Sequence, residues 1–337
     1  MNDSGNSNGT IDYVAINSYA YAAAVPASII GLIANTLMMF ILMRYKIFHK
    51  TTYFLLRISV ASDIISNTTT AISYLIVTAI HVTYPLGVIL CRIAVFVILS
   101  SYGISIMTLC IIAIDRYFAI VKPLSSFYRR NKFLLIGGLL TVGCLLTFSI
   151  TIPALFFVDV YHDDTKFCDF RNVTPLISFY FTMSTFNLYI IPAVTLATSY
   201  GNIIVYMRNY VRPGEDTNFN RAVEDQKRKK FIKALSLIAS SYLLISWPFF
   251  ATSLGMAITG SSLREIRRVG VVYYLLAFFS FSTTTAISII NPFLYLKFDH
   301  AIQLKAKSLI SQLSTIRTAV DSSNDSVPNS TNKSGIV

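Results

Sequence analysis

The stretch CRIAVFVILSSYGISIMTLCIIAIDRY, residues 91–117, decides how the rest of the chain is read. It is apolar almost throughout. It opens on Cys91-Arg92, closes on Asp115-Arg116-Tyr117, and is followed by Lys122-Pro123. A bilayer core needs about 20 apolar residues per helix, so the run predicts a membrane-spanning helix with a thiol at one rim and an acid–base pair at the other. From the residues alone, the Asp-Arg pair reads as interfacial charge before anything functional.

Composition points the same way. The 337 residues are 54% hydrophobic and 13% charged, with a mean hydropathy of +0.60. Soluble domains carry about a quarter charged residues, and no soluble fold of this size hides so much apolar surface. Seven runs reach spanning length, at 18–43, 53–79, 88–121, 133–158, 175–207, 231–258 and 269–296. None alternates with period two, which excludes barrel strands. No internal repeat stands out, which weakens an inverted-repeat transporter. The fold class is an all-α membrane protein: a seven-helix transmembrane bundle.

The connections set the orientation. With the N-terminus outside, 22 of the 28 Lys and Arg fall on the cytoplasmic side, as the positive-inside rule requires. The expected location is the plasma membrane, with the C-terminus cytoplasmic. The net charge of +12 is then a surface for anionic lipid and acidic partners, with no call for nucleic acid. Residues 1–17 form an outer segment and 18–296 the bundle. Residues 297–313 interleave Phe298, Ile302 and Leu309 with Lys305 and Lys307, predicting a short amphipathic cytoplasmic helix on the membrane surface. Residues 314–337 are rich in Ser, Asn and Thr and predict a disordered tail, whose hydroxyls either accept phosphate or simply solubilise. The polar first dozen residues argue against a cleaved signal peptide. Asn2, Asn8 and Asn172 begin glycosylation sequons on the outer side.

Four cysteines are too few for a disulfide scaffold. Cys110 and Cys144 lie within apolar runs, where a thiol serves as a small hydrophobe. Cys91 and Cys168 stand at run ends, where a bridge is compatible with an oxidising compartment.

Polar residues inside the spans carry the functional questions. Asp63 is the one acid deep in a span, and Asn35, Ser105, Ser288 and Asn291 are candidates to surround it. Such oxygens suit a small hard cation or a proton; they equally suit a hydrogen-bonded network locking helices. Pro26, Pro153, Pro192, Pro248 and Pro292 interrupt five spans and predict bends. Trp247, the only tryptophan, precedes Pro248, Phe249 and Phe250; plain packing is preferred over a pocket floor. There is no Gly-rich phosphate loop and no His or Cys pair at metal spacing, so nothing suggests an enzyme or a cofactor.

In order and spacing, these residues resemble the rhodopsin-like G-protein-coupled receptors. The motifs are Gly31 and Asn35; Ala61-Ser62-Asp63; Cys91 with Asp115-Arg116-Tyr117; Pro153; Pro192 and Tyr200; Trp247-Pro248; and Asn291-Pro292-Phe293-Leu294-Tyr295. The resemblance covers about residues 18 to 313. It implies a Cys91–Cys168 disulfide. It implies an activation switch of Asp115, Arg116, Tyr117, Tyr200, Asn291, Pro292 and Tyr295 that opens a cleft for a heterotrimeric G protein. Asp63, Ser105 and Asn291 would hold an allosteric sodium ion, and Ile106, Pro192, Tyr242, Trp247 and Pro248 would transmit between pocket and cleft. A receptor kinase and arrestin would act at the tail.

The departures are informative. Gly143 sits near the place of the family's fourth-helix tryptophan. Trp247 abuts Pro248 instead of preceding it by two, which turns the ring about 100° around the helix. Lys227 to Lys230 leave no acid at the inner end of the sixth span, so a resting lock on Arg116 is absent there and elevated ligand-independent signalling is expected. Ile98 stands where an amine receptor needs an acid, and Thr285 where an opsin needs lysine. The candidate ligand residues are Ser73, Ile98, Tyr102, Phe186, Phe250, Tyr273, Phe281 and Thr285. An acidic second outer loop facing basic Arg264, Arg267 and Arg268 could orient a peptide, the favoured ligand; the apolar pocket also fits a small chemosensory or lipid-like molecule. A channel or transporter is a distant alternative, since it would want more buried charge than Asp63.

Overall fold

The computed structural model describes residues 12–123, 126–209, 219–309 and 311–312. Asn2, Asn8 and the 314–337 tail lie outside these residues. Helix α1 (Tyr13–Arg44) starts under the Asp12 side chain, which accepts from the Ala15 amide at 3.0 Å. Then come α2 (Thr51–Ala79), α3 (Tyr84–Ile120) and α4 (Ser126–Thr151). Pro153 follows the end of α4 and N-caps the single turn α5 (Ala154–Phe157), a break where a span through 158 was expected. Strands β1 (Asp159–Val160) and β2 (Cys168–Asp169) pair antiparallel, Asp159 opposite Asp169.

The fifth span is two helices, α6 (Pro175–Thr185) and α7 (Ile191–Asn209), joined by a π turn over Phe186–Ile190. Pro192 cannot donate to residue 188 and its ring crowds that carbonyl; the wider turn relieves the conflict. The remaining helices are α8 (Phe219–Thr259), the short α9 (Leu263–Val269) and α10 (Val271–Phe298). Residues 300–309 and 311–312 are helical, the short helix expected after the seventh span, starting at 300 because 297 and 298 still belong to α10. Asp299 starts this helix by accepting from the amides of Ala301 and Ile302.

α3 is the axis. Its buried residues run from Gly87 to Ile120, and it packs against α2, α4, α7, α8 and α10. Six described helices are long and apolar enough to cross a membrane; α2 is absent from that set. The reason is Ser59, Ser62, Asp63, Ser66, Asn67, Thr70 and Ser73, a stripe recurring every three or four residues and wholly buried. At helical period these fall on one face, turned to the bundle and not to lipid.

Candidate ligand cavity and transmission site

At the Arg116 end, Asp115 is buried and receives three partners. Arg116 Nη2 lies 2.7 Å from Oδ2, while Tyr128 Oη and Lys132 Nζ each lie 2.6 Å from Oδ1. Arg116 also donates to Thr52 Oγ1, and its guanidinium lies 5.8 Å from the Phe231 ring of α8. Among the described residues, Asp115 is its carboxylate partner; the neighbouring turn of α8 offers Lys229, Lys230 and Lys233. The Tyr200 hydroxyl is buried with no hydrogen bond, Tyr295 is buried, and Tyr117 sits edge-on to Phe118.

Midway along the bundle, Asp63 Oδ2 accepts from Asn291 Nδ2 at 2.8 Å, and Oδ1 accepts from Ser101 and Ser105 at 3.3 Å each. Asn35 and Asn67 both donate to the Ser288 carbonyl, tying α1 and α2 to α10. Asn35 and Ser288 brace this site without touching the carboxylate, and Ser101 is a contact the sequence reading missed. The Asn291 Oδ1 is buried without a partner. An acid, a hydroxyl and a free amide oxygen together are the donor set a small hard cation takes.

Next is an aromatic wall. Tyr242 Oη donates to the Tyr102 carbonyl at 3.0 Å, and Tyr102 Oη to Ser246 Oγ at 3.2 Å. Tyr102, Tyr189 and Phe249 gather around Phe250 with ring centroids 5.0–5.4 Å away. Ile106 and Pro192 are buried in the same region. Trp247 is not part of this core: it is 53% exposed on the outside of the bundle. Its place one residue from Pro248 turns it outward, and Ser246 holds the inward position.

Above the wall, toward the Cys91 end, lies a cavity of about 330 Å³. Ser73, Ile98, Phe281 and Thr285 line it as expected. The other four ligand candidates do not. Tyr102 and Phe250 are consumed by the wall, and Phe186 and Tyr273 are 51% and 63% exposed away from the interior. The π turn resets the helical phase, so that Leu188 is buried and Tyr189 stacks on Phe250 while Phe186 faces out. The cavity therefore lies between α1, α2, α3 and α10. Ala20, Tyr21, Ala24 and Ser28 of α1 were missed; the run of alanines from Ala20 to Ala27 was the available signal.

A tied lid covers this end. Cys91 and Cys168 are disulfide-bonded. A Cβ on Gly87 would run into the Thr165 carbonyl, so glycine lets the loop seat on α3. Asp169 accepts from the Leu263 and Arg264 amides of α9, the Tyr161 hydroxyl and its own neighbour Phe170. Burial pushes its carboxyl up, against the pull of those bonds. Arg264 makes a two-pronged pair with Asp163, whose hydrogen bonds hold that exposed carboxyl below its ordinary range. Arg267 is stacked among Tyr13, Phe167 and Tyr274 at 4.7–4.9 Å. The opposed charged rims expected to orient a peptide are thus largely spent on each other and on rings. Asn172 is exposed beside Thr174, which caps α6.

The comparisons agree with this geometry. A family model for the 7 transmembrane receptor (rhodopsin family) matches residues 34–295. The somatostatin receptor type 4 of Rattus norvegicus is 26% identical over 236 residues, 67% of this chain and 58% of that receptor. The neuropeptide Y receptor type 2 is 24% identical over 277 residues in both Cavia porcellus and Homo sapiens, 79% of this chain and 69% of each receptor. The chain thus spans a little over half the length of the first and about two thirds of the others. With its seven long helices, its α3-to-loop disulfide and this match, the chain belongs to the rhodopsin family of seven-transmembrane receptors.

Proposed function

We propose that the protein is a plasma-membrane receptor, N-terminus outside, that binds an extracellular peptide and activates heterotrimeric G proteins. Support for the peptide comes from the relatives, which are named for somatostatin and neuropeptide Y. The observation that carries the coupling is the Asp115–Arg116 pair facing α8. A ligand favouring an open state needs only differential affinity for it. As α8 moves outward, Arg116 leaves Asp115 for the space beside Tyr200 and Tyr295. Stripping a buried acid of its partner is strongly destabilising, but Lys132 and Tyr128 remain on the other oxygen. Release of Arg116 is therefore cheap, and the turn of α8 beside it supplies Lys229, Lys230 and Lys233, while Glu224 and Asp225 lie nearer the start of that helix. This favours high ligand-independent activity. Asp63, Ser105 and Asn291 are the proposed holders of an allosteric sodium ion, which there would stabilise the resting bundle. The tail hydroxyls are proposed for a receptor kinase and arrestin.

The apolar cavity lining favours one second reading, a small lipid-like ligand for the same receptor. The test is guanine-nucleotide exchange on purified G protein in membranes carrying the full chain. We expect exchange without ligand well above that of empty membranes, and near-complete loss in Arg116→Ala. Equal activity in parent and variant would refute the assignment of Arg116.

A further inference from the structure

One buried hydroxyl on the cavity wall has no hydrogen bond, Ser28 Oγ on α1; Thr285 of α10 also lines the cavity. Ser28 is fully buried and Thr285 is 8% exposed. Buried polar groups almost always find partners, and helical serines and threonines commonly bond back to a carbonyl one turn before, as Ser288 and Thr284 do here. Ser28 does not. Most of the surface around it is apolar, from Ala24, Ile98, Phe281 and Ile289 among others.

The other end of the cavity has the opposite character. Lys166 and Asp169 are the charged residues that line it. Asp169 is saturated by four donors, two of them amides of α9. Among the described residues Lys166 has no carboxylate partner, although Arg92 and Arg171 pair with Asp159 and Arg264 with Asp163. The mouth therefore holds one uncompensated cation. The lining runs along α3 from Gly87 to Leu99, a rise of about 18 Å at 1.5 Å per residue. That depth, with the modest volume, describes a narrow slot.

We infer that the cavity takes a linear apolar group with a neutral hydrogen-bonding tip, seated at the unpartnered Ser28 hydroxyl, and a carboxylate that meets Lys166 at the mouth. The inference rests on the receptor reading and narrows its ligand. The same chemistry has two sources: a hydroxylated long-chain carboxylic acid, or the apolar end of a peptide with an acidic residue two or three positions in. Cations cannot take this seat, because Asp169 has no free oxygen to offer them.

The test uses the full chain in lipid nanodiscs, without G protein, and reads the shift of the thermal midpoint with probe concentration. The lipid-like arm compares 12-hydroxydodecanoate with 1,12-dodecanediol and dodecanoate. The peptide arm compares acetyl-Leu-Leu-Asp-amide with acetyl-Leu-Leu-Asn-amide. Partition into the disc is common to parent and variants, so differences between them report on the protein. The expected result is that the acid of one arm binds at least tenfold more tightly than its neutral counterpart. Lys166→Ala should erase that preference and Lys166→Arg should restore it. Ser28→Ala should erase the preference for 12-hydroxydodecanoate over dodecanoate in the lipid-like arm, and weaken the peptide acid at least threefold if the peptide arm responds. The arm that responds identifies the source. The unliganded midpoint of each variant separates misfolding from lost binding, and Lys166→Arg keeps the test alive if Lys166→Ala unfolds. Neutral probes binding as well as acids, an unchanged preference in Lys166→Ala, or no shift with any probe overturns the inference. Nucleotide exchange by the parent would still stand in each of those cases, so the two readings fail separately.

Discussion

Trp247 shows how one position decides a side chain's role. A ring on the lipid-facing side of α8 cannot relay a change in the cavity, whereas Ser246 bonds Tyr102 and the Tyr242 carbonyl from the inside. Trp247→Leu is accordingly expected to leave nucleotide exchange within about twofold of the parent. Ser246→Val removes bonds that in a membrane bundle are worth about 0.6 kcal/mol on average and up to about 1.7 each. It should lower the thermal midpoint and change basal exchange. A silent Ser246→Val beside an inactive Trp247→Leu would reverse the assignment. The displacement of Trp247 by one residue and the turn of about 100° that goes with it were visible in the sequence, because helical phase is local; that the ring then faces outward was not. Neither was the fate of Phe186. Its direction depends on a π turn answering a clash between Pro192 and the preceding turn, and no periodicity in residues 175–207 marks where the extra residue is absorbed.

Among the elements, the tie between the β1–β2 hairpin and α9 is the least legible from sequence and the most consequential for the cavity. Asp159, Asp163, Asp169, Arg264 and Arg267 could be read as two opposed charged rims. Nothing local in the sequence says that they meet. Asp169 caps α9 across some ninety residues of chain, and only the folded bundle brings those segments together. Asp169→Ala would strand the Leu263 and Arg264 amides and the Tyr161 hydroxyl, at about 1–3 kcal/mol for each buried group left unpaired. We expect a clear drop in the thermal midpoint, with a smaller drop for Asp169→Asn, which keeps one acceptor. An unchanged midpoint in Asp169→Ala would mean that the hairpin and α9 are not held by this carboxylate. By contrast, the Cys91–Cys168 bridge and the Asp115–Arg116 pair could be placed early, because their partners sit at fixed points of recognisable motifs.

For the molecule as a whole, the sequence places the helices well because lipid imposes a length and an apolar character on each. Where to look for the ligand was harder. Tyr102 and Phe250 have the right chemistry for a pocket, but they pack against each other and close off the α7 side. The space that remains is shaped by the alanines of α1.

The polar stripe of α2 has a further consequence, for how the protein is made. A helix leaving the translocon is sorted by its own free energy of entering lipid. An aspartate near the middle costs about 2.5–3.5 kcal/mol, while each leucine or isoleucine returns only about 0.3–0.6. Residues Thr51–Ala79 also carry serines, threonines and an asparagine along that face, so α2 cannot pass into the bilayer unaided. It must wait beside α1, its principal packing neighbour, and enter as half of a hairpin. In a glycosylation-reporter insertion assay, α2 alone is expected to stay largely uninserted, to insert when α1 precedes it, and to insert alone as Asp63→Leu. Efficient insertion of the unaltered helix by itself would rule this out. The acid at the centre of the finished bundle thus ties the membrane entry of its second helix to that of its first.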